Sequence, residues 1–189
     1  MLDALVELAR RNGTIDDPVA SPLAVAAVLD GRRLYRRRAE LQQIVAADGS
    51  RGDRIAAAIT GLGGRPAKRR RAETRGDVEA AITAATRLSD GHAVTDEQAA
   101  RLAVAMTDPP VRDMLYALAV GGIAGPAESL WAELSRALPA PWRADALVLL
   151  AFSAYVRGDG PLAGISLDAA LRCNPDHHMA GMLDQALQS

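Results

Sequence analysis

The side chains best suited to chemistry stand near the C-terminus: Cys173, then Asp176, His177 and His178 beyond Pro175. An aspartate beside two histidines raises the question of a metal. Adjacent residues on a helix point about 100° apart, so two neighbours seldom reach one ion. No second cluster of Cys, His or carboxylate stands at a ligand spacing. The histidines, with His92 after a loop glycine, are therefore read as solvated. Cys173 has no partner His at a recognisable spacing and reads as a small buried hydrophobe. The chain contains no G-x-S-x-G, no P-loop and no G-x-G-x-x-G, and Gly61, Gly63 and Gly64 do not follow a strand. No catalytic residue, metal or cofactor is assigned, and the expectation is a non-enzymatic protein.

The arginines offer a different chemistry. Arg32, Arg33, Arg36, Arg37 and Arg38 surround Tyr35, and Lys68 to Arg71 form a second run. Either could meet phosphate backbones. No nucleic-acid motif accompanies them, and net charge is −1 over 189 residues. A nucleic-acid-associated helical protein is thus the alternative, and a solvated face or a contact with acidic residues of the same chain is preferred. Charge is uneven in a way that permits such contacts. Residues 1–76 hold 15 basic against 9 acidic side chains, the remainder 7 against 14.

Composition bounds the elements that must position these groups. Apolar residues make up 49% but aromatics only 3%, so Ala, Leu and Val must fill the core, and Ala and Leu are strong helix formers. A single cysteine excludes an internal disulfide and favours a cytoplasmic setting. No apolar run is long enough to span a membrane, and the N-terminus lacks the charge and length of a signal peptide. Lys68 beside 21 arginines points to a GC-rich genome.

Almost every segment reads as helix. Apolar periodicity predicts helices over 2–12, 21–30, 36–47, 53–62, 77–88, 95–106, 111–120, 127–138, 142–157, 162–173 and 176–187. Thr95-x-x-Gln98 is a capping box. Asp108-Pro109-Pro110, Gly121-Gly122 and Pro139-x-Pro141 punctuate the second half. No period-2 strand is found. The expected organisation is an N-terminal helical subdomain (1–64), an exposed basic linker or frayed helix start (65–76) and a region of antiparallel helical hairpins (77–189).

Two helical patterns flank Gly158-Asp159, with Leu150-Ala151 before it and Ala163 and Ala170-Leu171 after it, ending at Pro175. Small residues suit helices whose axes approach to about 8–10 Å. The pattern resembles a tetratricopeptide-type helix pair, and Val111 to Leu138 looks like a looser copy. An ordinary helical bundle without a groove is the other reading. The resemblance implies that the first helix of the pair faces a concave groove. That places Asp145, Val148, Phe152 and Tyr155 on it, where the last three would take an apolar side chain from a partner. The bland alternative puts Phe152 in the core.

Pro139-Ala-Pro-Trp142-Arg-Ala-Asp-Ala, Ala154-Tyr-Val-Arg-Gly-Asp-Gly160 and Ala169-Ala-Leu171, with Asp17-Pro-Val-Ala-Ser-Pro22 and Asp30-Gly-Arg-Arg33, are similar to the C-terminal half of an actinobacterial family catalogued as a domain of unknown function. Members usually carry a further N-terminal domain, which implies that this chain is a C-terminal portion. Within that family the resemblance extends to a mycobacterial chaperone of accessory-Sec export. It implies a cytosolic, ATP-independent binder of unfolded or partly folded client proteins, exported ones among them. It implies no catalytic residues, no cofactor and no membrane insertion. Client and oligomeric state stay open.

Overall fold

The computed structural model describes residues 38–63 and 71–188. The helices expected over 2–12 and 21–30 lie outside them, as do residues 65–70 of the expected linker and most of both arginine runs. Among the described residues the protein is all helical, with no strand. In chain order the elements are α1 (Arg38–Ile44), α2 (Gly49–Gly61), α3 (Arg71–Ser89), α4 (Asp96–Met106), α5 (Pro109–Tyr116) with a 3-10 turn (Ala117–Ala119), α6 (Ala124–Ala137), α7 (Arg143–Val156), α8 (Gly160–Cys173) and α9 (His178–Gln188).

Several ends follow from cap chemistry readable in the sequence. Thr95 and Gln98 form the expected reciprocal box: Gln98 N–H donates to Thr95 Oγ1 at 3.2 Å and Thr95 N–H to Gln98 Oε1 at 3.0 Å. Gly158 takes a left-handed φ of 82°. Asp159 N–H then reaches the Ala154 carbonyl at 2.8 Å, closing α7 with a Schellman-type bond. The same Asp159 opens α8, its Oδ1 accepting from Leu162 N–H at 3.1 Å.

Other ends differ from expectation. α2 begins at Gly49, four residues early, because Asp48 caps it through Arg51 N–H. α3 begins at Arg71, so residues 71–76 of the expected linker form its first turns. α5 stops at Tyr116 and tightens into 3-10 geometry before Gly121, whose φ is 81°.

The chain divides by contact density into Met1–Glu40 and Leu41–Ser189. In the second unit α7 is the hub. It packs most closely on α8, then on α6, and it touches α4, α5 and α9. Ala151, Ala163 and Ala170 are buried, as small residues at a close crossing must be. Leu147, Leu150, Leu162 and Leu167 fill the seam around them. Gly164 leaves room for Leu187 of α9: a Cβ there would stand 3.4 Å from Leu187 Cδ2. Trp131 of α6 is wholly buried.

α2 belongs to this same unit, although its sequence neighbours are N-terminal. It packs on α4 and α6, with Gly52 against the backbone of Ala137 and Pro139. Arg51 fixes it there. Its guanidinium donates to Asp96 at 3.0 Å, to the Val94 carbonyl at 2.6 Å and to Glu133. Arg54 adds a 2.8 Å bond to Asp96. Hydrogen bonds from Arg54 and Arg51 hold the Asp96 carboxyl below its ordinary range. The charge asymmetry of the two halves is here partly neutralised within the fold.

Candidate functional site

α5, α7 and α9 are neighbours in turn, and a polar recess opens between α5, α7 and the turn that leads into α9. A cleft of about 330 Å³ is lined by Thr107, Arg112, Asp145, Asn174, His177 and His178, with Asp176 and Met179.

His177 organises it. The residue is 9% exposed. Its Nδ1 accepts from Ala180 N–H at 3.2 Å, so the imidazole caps α9. A nitrogen that accepts carries no proton, so in the neutral ring Nε2 bears the hydrogen. Nε2 lies 3.2 Å from Asp145 Oδ1 and donates to it. Asp145 also faces Arg112, whose Nη1 is 3.7 Å away. The reading of His177 as solvated is thus overturned. Pro175 stops α8, and the turn that follows folds the ring back over the first turn of α9. The sequence supplied no signal for this, because a histidine is an uncommon cap.

Along α7 the cleft gives way to apolar surface. Phe152 is half-buried, its ring edge-on to Tyr116 of α5, with centroids 5.0 Å apart and planes at 69°. That is a favoured aromatic geometry. Tyr155 and Val156, one turn further along α7, are 45% and 43% exposed. Burial pushes the Tyr116 hydroxyl pKa up, above its ordinary value.

Three of the four residues expected on the groove, Asp145, Phe152 and Tyr155, do share this region. Val148 does not offer a surface: it is wholly buried, on a helix packed against α4, α5, α6, α8 and α9. Phe152 is neither core nor free. Sequence reading missed Arg112 and Tyr116, which stand one helical turn apart on α5. Their i, i+4 spacing after Pro109-Pro110 was the available signal.

Among the described residues no group of three His, Cys, Asp or Glu side chains is placed to hold a metal ion. Nor is any helix of the described residues long and apolar enough to cross a membrane. Cys173 is partly buried and meets Arg143 Nη1 at 3.4 Å. Arg143 itself is structural, donating to the Ser135 carbonyl at 2.6 Å and to the Val45 carbonyl.

No curated protein and no solved structure matches the chain. A family model does, over residues 5–189, so the chain belongs to the family described as Domain of unknown function (DUF4192).

Proposed function

We propose that the α5–α7–α9 face holds apolar, extended segments of unfolded or partly folded proteins, and that the protein is a chaperone-like binding domain. The observation that carries this reading is the juxtaposition on one face of a partly exposed apolar platform and a polar cleft. Phe152, Tyr155 and Val156 provide apolar area, while Arg112, Asp145 and His177 lie beside them. An extended segment needs both, because it carries apolar side chains and unpaired backbone polar groups together. The resemblance of the α7–α8 pair to a tetratricopeptide unit supports this reading, since the first helix of such a pair lines the groove. The narrower form of the reading is similarity to SatS, the mycobacterial accessory-Sec export chaperone. It would make exported proteins the clients and the cytoplasm the site of action.

The test is the aggregation of reduced α-lactalbumin, followed by light scattering with no nucleotide present. Suppression at near-equimolar protein is the expected result. Unchanged scattering at a large molar excess would remove the reading.

A further inference from the structure

Four arginines are partly buried among the described residues: Arg51, Arg112, Arg143 and Arg157. Three are anchored by three hydrogen bonds each. Arg51 holds two carboxylates and a carbonyl. Arg143 holds two carbonyls and the Cys173 sulfur. Arg157 holds Glu128 through two bonds and Asp159 through a third, although its Nη1 is buried without a partner. Arg112 is the exception. Its guanidinium forms no hydrogen bond among the described residues. Its Nε is buried without a partner, and Asp145 at 3.7 Å is beyond hydrogen-bond distance of Nη1. Asp145 is engaged elsewhere, by the Nε2–H of His177.

A guanidinium carries five donors in a rigid fork. Leaving them unmet in a partly dry recess is costly. Arg112 keeps 28% of its side chain exposed, and it lines the cleft. It therefore presents a charged donor to whatever enters the cleft.

The charge of the cleft decides which acceptor. Two carboxylates, Asp145 and Asp176, line it with a single guanidinium. A carboxylate or phosphate ligand would add negative charge where it is already in excess. A peptide carbonyl adds none, and the N–H of the same amide meets the acceptors that the carboxylates supply. We infer that the cleft between α5, α7 and the first turn of α9 takes a backbone amide of an extended polypeptide, with Arg112 donating to its carbonyl oxygen. Arg112 and Tyr116 lie one turn apart, so this anchor adjoins the Phe152–Tyr116 platform. Recognition of backbone rather than side chain gives breadth of client. The inference rests on the binding reading above and names its chemistry.

The probe is an N-acetylated, C-amidated nonapeptide of alternating Leu and Ser, which carries no ionisable group. The same peptide with a free C-terminal carboxylate is its companion. Both are titrated into the full chain and into Arg112→Gln and Arg112→Lys, with thermal melting to establish that each variant is folded. The two peptides should bind the unaltered protein alike. Arg112→Gln should weaken the blocked peptide about tenfold, the loss expected for one charge-assisted hydrogen bond. Arg112→Lys, which keeps a charged donor, should recover part of it and serves alone if Arg112→Gln does not fold. Equal binding of the blocked peptide by the protein and its variants overturns the amide site. So does a free carboxylate that binds tenfold or more tightly than the amide, which would make the cleft a carboxylate site. If α-lactalbumin is protected while Arg112 variants bind the blocked peptide normally, only the amide site fails. If there is neither protection nor peptide binding, both readings fail.

Discussion

Replacing Arg157 by alanine should destabilise the protein by about 3 kcal/mol, or roughly 6–12 °C in melting temperature. Its guanidinium joins three elements. Nε and Nη2 hold the Glu128 carboxylate of α6 at 2.9 and 3.0 Å, and Nη2 holds Asp159 at 3.0 Å. Both carboxylates are 7% exposed. Burial opposes the charge of Arg157, but the bonds to Glu128 and Asp159 outweigh it and raise its pKa. Without the guanidinium, two buried carboxylates face each other and Asp159 must still cap α8. The Arg157 side chain is 23% exposed, so water entering the gap sets the loss at the lower end of that seen for fully buried pairs. Urea unfolding provides the number. The double variant Arg157→Met with Glu128→Gln should regain part of it, since it removes the buried Glu128 charge and leaves only Asp159 without its cation. A loss under about 1 kcal/mol for Arg157→Ala would mean an ordinary surface pair.

Phe152→Ala should have the larger consequence for function. A fully buried Phe costs about 3–5 kcal/mol when truncated. Phe152 is only half-buried, and its described ring contact is a single edge-on partner, Tyr116, so its stability cost should fall below that range. Client protection per folded molecule should fall severalfold, because the platform loses its central ring. Leu150→Ala is the control on the same helix. Leu150 is wholly buried, so its truncation should cost about 2–5 kcal/mol and leave protection per folded molecule unchanged. Melting temperature and α-lactalbumin scattering on both variants check this. If Phe152→Ala loses as much stability as Leu150→Ala and protects normally, Phe152 is a core residue.

The features legible in the sequence are those with local causes. The Thr95–Gln98 box, the left-handed Gly158 and the alanines of the α7–α8 crossing each follow from a few neighbouring residues. So did the membership of Asp145, Phe152 and Tyr155 in one region, since spacing along a helix fixes its face. Features that depend on distant packing were not legible. Val148 has the same spacing as its neighbours, yet the helices packed around α7 bury it wholly. His177 caps a helix and anchors Asp145 only because α9 returns beside α7. Arg112 looks like any helical arginine until the hydrogen bonds of Arg51, Arg143 and Arg157 show what it lacks. The association of α2 with α4 and α6 turns on Arg51 meeting Asp96 and Glu133, 45 and 82 residues away.

If the face of α5, α7 and α9 holds the client, a photoreactive side chain placed on that face should capture it. Tyr155, 45% exposed on α7, and Arg172, exposed on α8, are each replaced by benzoylphenylalanine and irradiated with reduced α-lactalbumin. Client adducts are expected from position 155 and only background from position 172. Equal adducts from both positions, or adducts from 172 alone, would contradict a client held on that face.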